Sequence, residues 1–127
     1  MVWLGAWPRD NSSEETARAE AYVQKQLDEM SATGFDGIDQ VQIHLRTDLS
    51  KADVFNPSTA FVLRAIALLH KHGVVANGMT WTEGANKDVY RKMWDLGFDN
   101  FTTDYPETLF EVIDEIRRGD WKTPKDS

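Results

Sequence analysis

Four glycines set what this chain can fold into, because each ends a helical pattern. Gly34 precedes Phe35-Asp36-Gly37-Ile38, Gly73 precedes Val74-Val75-Ala76, Gly97 precedes Phe98-Asp99-Asn100-Phe101, and Gly119 closes the last helical stretch. A glycine just past a helix adopts the left-handed conformation that finishes the final turn, and the chain then leaves in another direction. Gly-Phe-Asp occurs at both Gly34 and Gly97, the mark of a repeated αβ turn.

The helix starts fit the same scheme. Ser12 with Glu15 forms a Ser-x-x-Glu capping box, Asn56-Pro57 supplies a cap and a favoured first position, and Asp104 with Glu107 forms a second box around Pro106. The third helix opens between Gly84 and Asn86. Each helix carries one apolar stripe: Ala19, Val23, Leu27, Met30; Val62, Ala65, Ile66, Leu69; Val89, Met93, Leu96; Leu109, Val112, Ile113, Ile116. Between them lie predicted strands Val2–Trp7, Gly37–Leu45, Val74–Thr80 and Asn100–Thr103. The fold class is therefore α/β: four βα units with right-handed crossovers and a parallel sheet. The 127 residues suit one domain, residues 1–120, with a polar tail over 121–127.

The second strand alternates. Val41, Ile43 and Leu45 fall on one side, and Gln40, Gln42, His44 and Arg46 on the other. A strand of an open sheet covered by helices on both faces should be apolar throughout. A polar inner side suits a β/α barrel, where it leads to a ligand site; an edge strand with one wet face is the alternative. Four units make half of an eight-stranded TIM-type barrel, and their exposed edges call for a partner. A second copy, giving a homodimer, or a missing N-terminal half-barrel would supply it.

The formal charge of −7 disfavours nucleic acid and anionic membrane surfaces. Without cysteine there is no disulfide framework, thiolate metal site or cysteine nucleophile. The segment Val2-Trp3-Leu4-Gly5-Ala6-Trp7-Pro8 reads as a buried strand rather than a leader. No apolar run reaches the ~20 residues of a membrane span, and a cytoplasmic location is expected.

His72-Gly73-Val74-Val75-Ala76-Asn77-Gly78-Met79-Thr80-Trp81-Thr82, followed by Leu96-Gly97-Phe98-Asp99-Asn100-Phe101-Thr102-Thr103-Asp104-Tyr105-Pro106, resembles the closing segment of the glycerophosphodiester phosphodiesterases. The resemblance is strongest over Leu69 to Val112 and implies the last two βα units of that family's barrel. It also implies a phosphodiester hydrolase ancestry in lipid metabolism, a divalent cation (Mg²⁺ or Ca²⁺) as cofactor, and a Trp81 indole close to a glycerol or alcohol moiety. The family's His-Arg-Gly, Glu-Asn-Thr and His-Asp elements are absent, and Glu83-Gly84 stands where the family often has an apolar residue and Asn. A looser alignment over Gly34 to Gln42 places Asp39 and Val41 at the family's metal-binding Glu-x-Asp, a pair that cannot chelate.

The residues themselves specify no metal and no catalytic set. At the strand ends of a barrel the candidate ligand-binding residues are Trp7, His44, Arg46, Trp81 and Glu83. Asp10 and Asp48 read as loop acids, Asp104 as a helix cap, and His70 and His72 as complements of a helix C-terminus. Three readings follow. The first is a half-barrel that binds a phosphorylated or polyol ligand with little or no activity alone. The second is a metal-dependent hydrolase built at a dimer mouth from His44, Glu83 and Asp104. The third is a non-catalytic α/β interaction module.

Overall fold

The computed structural model describes residues 2–6, 8–80 and 86–119. The elements run β1 (Val2–Leu4), α1 (Ser13–Ala32), β2 (Gln40–Thr47), β3 (Phe55–Asn56), α2 (Thr59–Lys71), β4 (Val75–Thr80), α3 (Lys87–Leu96), β5 (Asn100–Thr102) and α4 (Pro106–Arg118). The α/β class and the four βα units are as expected. The parallel strands lie in the order β1-β2-β4-β5, and the two-residue β3 pairs antiparallel with the end of β2.

That order is the sequence order, with no reversal. Right-handed crossovers along an unreversed order deliver every helix to the same side of the sheet. The burial agrees: Leu4, Val41, Ile43, Leu45 and Ala76 share one core with the apolar stripes of all four helices. Registers Val2↔Val41↔Ala76 and Leu4↔Ile43↔Gly78↔Phe101 place these residues on one face. Trp3, Gln42, His44, Asn77, Asn100 and Thr102 occupy the other, since successive side chains alternate.

The element boundaries show where local chemistry overrode the expected ones. β2 begins at Gln40 rather than Gly37, because Phe35 (φ 59°) and Gly37 (φ 75°) are both left-handed and extend the turn after α1. Ser12 caps α1, accepting from the Glu15 amide at 3.3 Å, but the reciprocal half of the expected box does not form: the Ser12 amide donates to Asp10 Oδ1 and the Glu15 carboxylate is taken by Arg9 and Arg18. The cap of α2 is Ser58, not Asn56, since Asn56 is held in β3 opposite Arg46. Asn86 caps α3. The Asp104–Glu107 box does not form: Tyr105 holds the cap position of α4 without a side-chain bond, and Thr103 Oγ1 accepts from the Tyr105 amide at 2.8 Å. The expected tail, Trp7, Trp81 and Glu83 lie outside the described residues.

One close approach fixes α3 against the sheet. A Cβ on Gly78 would meet Phe98 Cδ2 at 2.8 Å and Met93 Cε at 3.0 Å. Phe98 is a ring packed in the core and cannot swing aside freely. Overpacking of this kind costs about 1–3 kcal/mol. Gly78→Ala is therefore expected to lower unfolding free energy by that amount in urea titrations. A change below about 0.5 kcal/mol, the scale of an ordinary surface substitution, would show that α3 is not held this tightly.

Candidate functional site

β2 supplies the centre of the site because it is paired on both sides, with β1 and with β4. Two of its polar side chains, Gln42 and His44, do not face open water. Gln42 and His44 are each 3% exposed and Asn77 on β4 is 4% exposed. Burial of three such groups is tolerable only if they bond to one another, and they do. His44 Nε2 lies 2.6 Å from Gln42 Oε1. Gln42 Nε2 donates to Asn77 Oδ1 at 2.9 Å and to Thr102 Oγ1 at 2.8 Å. Thr102 Oγ1 donates to Asn77 Oδ1 at 3.0 Å. Asn77 Nδ2 and Gln40 Nε2 both donate to Asn100 Oδ1. The result is a ladder of amides and hydroxyls crossing β2, β4 and β5.

The ladder sets the protonation of His44. An amide oxygen only accepts, so the His44 nitrogen facing Gln42 carries the hydrogen and Nδ1 is the basic nitrogen. Burial pushes the His44 pKa below its ordinary value, so the imidazole is neutral at pH 7. Trp3 on β1 stands beside it, with ring centroids 6.2 Å apart, and is 66% exposed. Arg46, partly buried, follows two residues along the same side of β2.

Beyond Arg46, three segments are tied together at the strand ends. Asn56, fully buried, donates from Nδ2 to the Asp10 carbonyl at 2.7 Å, and Asn11 Nδ2 donates to the Val54 carbonyl at 2.8 Å. The loop after β1 is thus bound to the β3 segment. Glu15 clasps the same loop to α1: its carboxylate meets Arg9 Nε and Arg18 Nε, each at 2.5 Å, while Arg18 also donates to the Ala6 carbonyl at 3.2 Å. Hydrogen bonds from Arg18 and then Arg9 pull the Glu15 pKa down to about 2.

The structure thus places two of the expected site residues, His44 and Arg46, on one side of one strand. Trp7, Trp81 and Glu83 fall outside the described residues. Asp10 and Asp48 are loop acids as expected, each accepting from the amide two residues on. His70 bonds Asp99 at 2.8 Å and His72 packs on Phe35. Asp104 is exposed in the turn before α4. Among the described residues no three His, Asp or Glu side chains converge to hold a metal ion, and the ladder brings no carboxylate to neutralise a divalent cation. Asn77, Thr102 and Asn56 were not among the expected site residues. Alternation could have suggested both Asn77 and Thr102, since Asn77 lies between Ala76 and Gly78 and Thr102 follows Phe101 in predicted strands.

His44 makes a testable contribution to stability. With its folded pKa below the ordinary 6.5, the unfolded chain takes up a proton that the folded chain refuses. Stability from this group is complete above pH 6.5 and falls as pH drops below it, until the folded pKa is reached. Buried carboxylate contributions such as that of Glu15 are lost only at lower pH, below its ordinary 4.5. We expect urea midpoints to decline between pH 7 and 5, and His44→Gln to flatten that decline. An unchanged slope in the variant would mean that His44 is not held neutral by burial.

Searches against protein-family models, curated proteins and solved structures each found no match to this chain.

Proposed function

We propose that this chain is a half-barrel akin to the glycerophosphodiester phosphodiesterases that binds a phosphorylated or polyol ligand at its strand ends and has little or no hydrolytic activity alone. The observation that carries this reading is the hydrogen-bonded polar face of the sheet, opposite the helices, ending at His44 and Arg46. The ladder's own bonds hold this face in place and present Arg46, partly buried, at its end. The planar guanidinium of Arg46 suits two phosphate oxygens. By resemblance the Trp81 indole would supply an aromatic surface for a glycerol moiety, and Trp7 and Glu83 join the proposed site as residues at the ends of predicted strands.

Hydrolysis is a different matter. That chemistry needs a histidine acid/base pair and a carboxylate-held divalent ion. The sequence lacks the family's elements for both, and the described donor groups do not assemble a metal site. We assign the chain to the cytoplasm, in keeping with its lack of cysteine. No helix among the described residues is long and apolar enough to cross a membrane.

Glycerol 3-phosphate is expected to quench tryptophan fluorescence. Arg46→Ala should weaken that response at least tenfold, whereas Lys125→Ala in the tail should leave it unchanged. With Mg²⁺ or Ca²⁺ and a glycerophosphodiester, turnover should stay far below the ~1–10³ s⁻¹ of ordinary enzymes. Equal responses in the two variants would remove the ligand site. Fast turnover abolished by His44→Ala would favour the metal-dependent hydrolase at a dimer mouth.

A further inference from the structure

Resting on the half-barrel reading, we propose that the partner is a second copy of this chain, and that α4 of each copy packs into a groove beside β1 of the other. Among the described residues β1 bonds only to β2, and β5 only to β4. Joining β5 of one copy to β1 of the next continues the sheet with every strand parallel. Two sets of four such strands give the eight that close a β/α barrel. A two-fold axis along the barrel makes both seams identical.

The helices show how the seam would be covered. On α4, Leu109 and Val112 face the core, and Glu111 and Glu115 reach Lys87 on the side of α3. At 100° per residue, Phe110, Ile113 and Arg117 then lie on the opposite flank, away from α3. Phe110 is 61% exposed there and Ile113 is only partly buried. In a continuing barrel that flank meets the next βα unit, which is β1 and α1 of the second copy.

β1 and α1 carry the matching surface. Glu20 of α1 accepts from Ser58 at the start of α2, so the flank of α1 away from α2 holds Tyr22, Gln26, Glu29 and Thr33. Between this flank and β1 lies an open apolar groove of about 300 Å³, lined by Val2, Leu4, Met30 and Ile38 with Glu29 at its rim. Adjacent helices of a barrel run parallel, so the last turn of α4 meets the last turns of α1. Arg117 falls beside Glu29 of the second copy, an ion pair of opposite charges. Each seam strand is only three residues long, so this helix contact supplies most of the buried apolar surface.

Sedimentation of the full chain at micromolar concentration tests the pairing. The wild type is expected at twice the chain mass. Phe110→Glu should weaken association at least tenfold with an unchanged circular dichroism spectrum. Should that variant fail to fold, the surface swap decides: Glu29→Arg and Arg117→Glu should each weaken the dimer, and together restore it. A monomeric wild type, a dimer indifferent to Phe110→Glu, or a double swap no better than either single would overturn the proposal. The ligand reading is judged separately. A dimer built this way that ignores glycerol 3-phosphate keeps this inference and loses that one, and a ligand-binding monomer does the reverse.

Discussion

The bond between His44 and Gln42 is the first link in the ladder that decides how the sheet of this protein is used. Gln42 makes three amide bonds inside the protein, with His44, Asn77 and Thr102. An apolar replacement of Gln42 or His44 leaves the other with a buried donor or acceptor unpaired, at about 1–3 kcal/mol. A one-residue slip of β4 against β2 would turn Asn77 toward the helices and bring Ala76 or Gly78 into its place. The ladder therefore fixes register as well as polarity.

The other half of the architecture follows from strand order. Because β1, β2, β4 and β5 are laid down without reversal, the helices gather on one side and the polar ladder is left on the other. A sheet wound in both directions would have buried that face under helices and required apolar residues there. The clasp of Glu15 on Arg9 and Arg18, and the Asn56 bond to Asp10, then hold the connecting loops over the strand ends. Loops fixed in this way give His44 and Arg46 a defined setting.

Much of this was legible in the sequence. The glycines at 34, 73, 97 and 119 all take positive φ at or just beyond helix ends, and the alternation of β2 was readable because a strand has a period of two. What escaped is non-local. β3 is two residues long and exists only because it pairs with β2, which no window of sequence reports. The cap of α2 moved to Ser58 because Asn56 is needed by Asp10, forty-six residues earlier. Asn77 and Thr102 were visible as residues, but their roles depend on partners on other strands. His44 was expected to face the polar side, and it does; that it is buried there follows from neighbours the sequence does not place beside it.

The ladder has a direction, and that direction can be read at one atom. Its amides can turn around only together, since reversing one would oppose two oxygens or two N–H groups. The tautomer of His44 therefore reports the whole chain of bonds from β2 to Asn100. Nitrogen-15 resonances of the imidazole at pH 7.5 measure it directly. A neutral ring with hydrogen on Nε2 is expected, with side-chain amide protons of Gln42 that exchange slowly with water. Hydrogen on Nδ1, or a Gln42 amide that exchanges as fast as an exposed one, would contradict it.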